Sequence, residues 1–102
     1  MRIEITRVID VPDELVGVNA LEAVVCDEGF ALMRELFSTL WQRFQALHWR
    51  CPKCGSSEVE GAGEKTFDLL TAFGKVEVPR QRLKCRQCGT IAKPLDEWLR
   101  EL

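Results

Sequence analysis

Two cysteine pairs limit most tightly what this chain can fold into. Cys51-Pro52-Lys53-Cys54-Gly55 and Cys85-Arg86-Gln87-Cys88-Gly89 each read CxxC followed by glycine, and thirty residues separate Cys54 from Cys85. Two thiolates spaced by two residues reach one metal from a tight turn, and the glycine that follows lets the backbone adopt a conformation that a β-carbon resists. Thirty intervening residues suffice for a β-hairpin that brings the two turns together. Four soft thiolates with no open position favour one tetrahedral zinc ion, Zn2+, held for structure and not for catalysis. The assignment is therefore metal: Cys51, Cys54, Cys85 and Cys88. In a chain of 102 residues the hydrophobic core is modest, so such a cross-link adds stability that the fold needs.

The remaining composition fits a cytoplasmic placement. Five cysteines without an export signal point away from disulfides, because the cytosol keeps thiols reduced. The start MRIEITRVID has no apolar stretch after its arginine, and no apolar run approaches the roughly 18 residues that a membrane span requires. The fifth cysteine, Cys26, has no cationic neighbour in sequence and reads as a small buried hydrophobe. His48, three residues before Cys51, reads as a helix-terminal histidine, since four thiolates already fill the shell of zinc. Trp41, Trp49 and Trp98 read as core residues.

Hydrophobic spacing places these motifs in an α+β fold. Residues 2–9 alternate in part and read as a short strand, which Val11-Pro12-Asp13 ends. From Asn19 the spacing turns helical: Leu21, Val25, Leu32, Leu36, Leu40 and Leu47 step by multiples of three or four. Asn19 with Glu22 resembles a capping box. Gly29 weakens the run by roughly 1 kcal/mol relative to alanine. A single helix over about residues 20–47 is the reading adopted, the alternative being two helices that meet near Asp27-Glu28-Gly29. Phe37, Trp41 and Phe44 crowd its far half and need a cover, from residues 1–12 and 94–102, from another copy, or from another domain.

Between the cysteine pairs, Lys65, Phe67 and Leu69 alternate with Thr66, Asp68 and Leu70, and Val76 and Val78 lead the returning arm, with a turn at Thr71–Lys75. Pro79 cannot donate to a ladder, so its strand is at an edge or bulged there. Pro94 closes the segment, and Leu95, Trp98, Leu99 and Leu102 open a C-terminal helix. The expected organisation is thus a strand and helical segment over 1–49, a zinc ribbon over 50–93, and the start of a helix over 94–102.

Charge is divided along the chain. The net charge is −2, residues 1–50 carry −3, and residues 75–93 carry +5. Arg80, Arg82 and Lys84 recur at period two on the returning arm, beside Arg86 in the second knuckle. With Lys53 and Lys75 they are the candidate nucleic-acid contacts, since a cationic strand face can follow a phosphate backbone. The structural alternative is a solubilised strand edge.

The stretch from Cys51 to Leu99 resembles the N-terminal zinc-ribbon region of DDE-type insertion-sequence transposases. In that group a CP-x-CG knuckle precedes T-x-FG-x-V-x-(V/L)-x-R-x-R-x-x-C-x-x-CG and then PLD, matched here by Cys51–Gly55, Thr71–Gly89 and Pro94-Leu95-Asp96. The resemblance implies a DNA-binding or assembly module for transposition that precedes an RNase H-like catalytic domain. Such a domain needs three carboxylates around two metals, for which this length leaves no room. The chain is therefore expected to be non-catalytic. Two other functions compete: a dimerisation or docking module acting through helix 20–47 with the ribbon as brace, and a rubredoxin-like electron carrier. The segment between the knuckles is basic and lacks tyrosine and tryptophan, which disfavours the carrier.

Overall fold

The structure, a computed structural model, describes residues 1–101. It is α+β: one long helix, α1 (Val18–Leu47), precedes a three-stranded antiparallel sheet of order β1-β2-β3, with β1 at Val59–Thr71, β2 at Gly74–Cys85 and β3 at Ile91–Ala92. A 3-10 helix spans Asp96–Glu101.

The helix runs unbroken through Gly29, so the single-helix reading holds. Its start differs from the expected one. Gly17, with φ 102, precedes Val18, no side chain caps the helix, and Leu21 donates to the Gly17 carbonyl at 3.1 Å. Asn19 already lies inside the first turn, because a positive φ at Gly17 reverses the chain two residues earlier. His48 closes the other end, with its backbone N–H and its Nδ1 both at the Phe44 carbonyl (3.0 and 2.8 Å).

Residues 2–9 form no strand. They run extended along the first half of α1 with Ile3 and Ile5 half-buried, but among the described residues no strand lies beside them, so the ladder that defines a strand is absent. Arg7 anchors this arm through Glu28 (2.9 Å) and Glu35 (3.6 Å). Cys26 is exposed, not buried, because it lies on a flank of α1 that none of the described residues covers.

The second half of α1 carries the core. Trp41, Leu69, Val76, Val78 and Leu95 are buried together, with Phe37, Phe44, Phe67, Phe73 and Leu99 packed around them. The cover over Phe37, Trp41 and Phe44 thus comes from the hairpin and from Leu95 and Leu99; the arm packs elsewhere on the helix. Trp41 also donates Nε1–H to the Pro79 carbonyl at 2.8 Å. Pro79 pairs with Thr66 without a bulge; the irregularity falls at Gly61/Glu64. β3 pairs only with Leu83 and Lys84, so at Pro79 the outer edge of β2 faces α1 and the missing N–H breaks no ladder bond. Of the other two tryptophans, Trp49 is half-buried and Trp98 is exposed against Phe44 and His48.

β2 changes its buried face midway. Val76 and Val78 are buried, then Leu83 and Cys85, and five residues from 78 to 83 place the second pair on the opposite side of a period-two strand. The upper half covers α1. The lower half buries its other face, where the segment from His48 to Pro52 and the turn through Pro94 and Leu95 line a cleft with Leu83. Within that turn, Leu95 takes φ 64, a conformation costly for a residue with a bulky side chain, and holds it while its side chain sits in the core. The C-terminal helix is a 3-10 helix over the described residues, and Leu102 lies outside them.

Candidate metal centre

The folding of β2 back on β1 brings the four cysteines together. Register pairs Val59 with Cys85, so the base of the hairpin sets the second knuckle beside the first. The knuckles are near copies. In the first, Gly55 N–H donates to the Cys51 carbonyl at 2.9 Å and Cys51 N–H to the Ser56 carbonyl at 2.9 Å. In the second, Gly89 N–H donates to Cys85 at 3.0 Å and Cys85 N–H to Thr90 at 2.9 Å. Gly55 and Gly89 have φ 72 and 73, the left-handed values that favour glycine and explain the fifth residue of each motif.

All four Sγ atoms lie within 4.8 Å of one another, and Cys51–Cys88 and Cys54–Cys85 are each 3.5 Å apart. A tetrahedral tetrathiolate with bonds near 2.3 Å has edges of about 3.8 Å, so the donor set matches a single ion in size and number. Cys51 and Cys85 are buried while Cys54 and Cys88 face solvent, so one side of the site is sealed and the other is open to solvent.

The surroundings differentiate the thiols. Thr90, with its hydroxyl 3.0 Å from Cys88 Sγ and a backbone N–H adding to it, lowers the Cys88 thiol to about 6. Backbone amides of the first knuckle, that of Cys54 foremost, lower Cys51. At Cys54 the Ser56 amide pulls down, but crowding against Cys85 and Cys51 outweighs it and pushes the thiol up to about 12. Four thiols this close do not all ionise unaided; a cation is what lets them. The four cysteines can therefore hold one metal ion. His48 takes no part.

The cationic residues sort into four places. Arg80 and Arg82 line a groove of about 500 Å³ on the hairpin face beside the knuckles, together with Lys65, Phe67, Lys93 and Asp96. Arg80 is already engaged there: its guanidinium bonds Asp96 and lies 5.5 Å from the Phe67 ring centre. Lys84 is exposed opposite Glu60 and Ile91, and Arg86 pairs with Glu60 at 3.3 Å. Lys53 is exposed within the first knuckle, and Lys75 lies at the turn end, about 33 Å of strand from Cys85. The six candidates therefore do not form one surface. Lys65 and Lys93 are the cations that sequence reasoning missed. A turn at Ala72-Phe73 puts Lys65 opposite Arg80, so that position was legible from the register; Lys93 depends on β3, two residues long, which carries no periodic signal.

No protein-family model matches this chain, and comparisons with curated proteins and with solved structures give no match either. Among the described residues, no helix is long and apolar enough to cross a membrane.

Proposed function

We propose that the chain is a non-catalytic DNA-binding module in which one zinc ion organises a ribbon-like hairpin, serving a transposase of the DDE type as its recognition or assembly element in the cytoplasm. The observation that carries this reading is the groove beside the tetrathiolate, in which Lys65, Arg80, Arg82 and Lys93 face one carboxylate, Asp96. The resemblance of Cys51–Leu99 to transposase zinc ribbons supports the same reading, and its R-x-R and PLD positions supply Arg80, Arg82 and Asp96 of the groove.

Each part then has a physical role. Zinc ties the turn at Cys51–Cys54 to the turn at Cys85–Cys88, which fixes the base of β1 and β2 and hence the spacing of the groove's cations. These cations release counterions as they meet phosphates, the main sequence-independent contribution to binding. Arg80 exchanges its bond to Asp96 for a phosphate oxygen, and Phe67 keeps its guanidinium plane in position. Such contacts position a duplex; they do not specify its sequence.

Titration of labelled duplex DNA at several salt concentrations tests the reading. Four phosphate contacts predict a slope of log K against log salt of roughly −3 to −4, and Arg82→Ala with Lys93→Ala reduces its magnitude by about 2. Both residues are exposed, so the variant keeps its fold. Unchanged affinity and slope in that variant would overturn the assigned surface.

A further inference from the structure

We propose that a second copy of this chain pairs, about a two-fold axis, with the N-terminal arm and with the uncovered stripe of α1. The arm has strand character but lacks a strand partner. Among the described residues, no backbone N–H of residues 1–11 donates to another backbone carbonyl, and both edges of the extended segment are open. Its odd-numbered residues face α1, where Ile5, Arg7, Ile9 and Val11 line a cleft with Leu21, Val25 and Leu32, while Glu4, Thr6 and Val8 point to solvent, Val8 at 85% exposure. An unpaired edge lying on an apolar helix is a template for another strand.

The arm complements itself. Antiparallel pairing centred on Thr6 sets Arg2 opposite Asp10 twice, Ile3 opposite Ile9, and helix-facing residues opposite helix-facing residues, as one buried face requires. The helix has a matching centre. Leu21, Val25, Leu32 and Leu36 are all exposed, and a two-fold axis between Glu28 and Gly29 sets Leu21 opposite Leu36 and Val25 opposite Leu32. The two centres lie near each other, because Arg7, next to Thr6, pairs with Glu28 and with Glu35 about two turns further on. A Cβ at Gly29 would meet nothing within 4 Å in the single chain, so the seam has room at its middle for the partner helix. The paired Arg7 neutralises Glu28 where it nears its symmetry mate. Each copy thus supplies the same patch to the other, as a closed dimer requires.

The extended shape leaves surface for such an interface. The chain exposes 7718 Å², whereas a compact monomer of this mass exposes roughly 5,900 Å². The excess of roughly 1,800 Å² exceeds the ~800 Å² per partner that a stable dimer buries.

Sedimentation equilibrium of the metal-loaded chain gives twice the 11.7 kDa chain mass if the proposal holds. Arg2→Asp weakens the dimer about tenfold, as does Asp10→Arg, and the double variant restores it, which a loss of folding would not do. In a Cys26→Ser background, Thr6→Cys forms a covalent dimer under mild oxidation, because residues facing each other across an antiparallel ladder lie within disulfide reach. A mass of 11.7 kDa at the highest soluble concentration overturns the proposal. A dimer indifferent to the charge variants and without the Thr6→Cys cross-link overturns it equally.

Discussion

Gln45 shows how one side chain can be at odds with its surroundings. It is buried on α1, and its Nε2 has no hydrogen-bond partner. An unpaired buried amide costs about 1–3 kcal/mol, whereas an apolar side chain of similar shape carries no such penalty. Gln45→Met is expected to raise stability by about 1–2 kcal/mol, seen as a rise of several degrees in Tm. The cysteines illustrate the opposite case, in which an unfavourable arrangement awaits a cation. Metal binding needs thiolates, so affinity falls as pH falls. Near neutral pH Cys54, raised to about 12, holds a proton that metal must displace, while Cys88, lowered to about 6, is largely ionised. Below pH 6 Cys88 takes up a proton that metal must also displace. Proton release per metal should thus rise by about one between pH 7 and pH 5, as calorimetry in buffers of different ionisation enthalpy will report.

Among the elements, α1 and the hairpin depend on metal to different degrees. The upper hairpin is held to α1 by Trp41, Leu69, Val76 and Val78, which touch no cysteine ligand. The base of the hairpin, from Leu83 to the second knuckle, hangs on the cysteine set, whereas Phe67 holds one side of the groove to the core. Chelation is expected to release amide protection from Leu83 to Gly89 while Phe67–Val78 and the second half of α1 keep theirs, as hydrogen exchange by mass spectrometry checks. What the sequence made legible follows the same division. The helix was readable because its apolar residues recur at helical spacing for seven turns, and the cysteine set because CxxCG appears twice at hairpin distance. The arm was not, since Ile3 and Ile5 carry the alternation of a strand but pairing is a property of two segments. The N-terminal cap was misplaced because Asn19 has the chemistry of a cap, while the φ of Gly17, not visible in a sequence, decides where the helix begins. The basic groove was half legible: Arg80 and Arg82 by period two, but not Lys93, which the two-residue β3 sets beside β2.

The whole molecule is long and thin. Its extents are 63 × 26 × 21 Å and its radius of gyration is 18.6 Å, against about 13 Å for a compact chain of this length. Helix α1 alone spans about 45 Å, and its first half, with the arm along it, projects away from the core. If both proposals hold, two-fold pairing of these projections would leave the two zinc-bearing ends at opposite extremes of the dimer, each free to meet its own stretch of nucleic acid. The hairpin beneath each end has its own lesson, drawn from the change of buried face along β2. A strand that packs one side throughout obeys a single parity, with even positions apolar and odd positions free, or the reverse. Here the parity inverts near Gln81. A change that is harmless at Glu77 would be ruinous three repeats of the pleat later at Leu83, though both are odd. Inserting a single residue between them would bring the two halves into one parity and leave one of the two packed faces without its side chains.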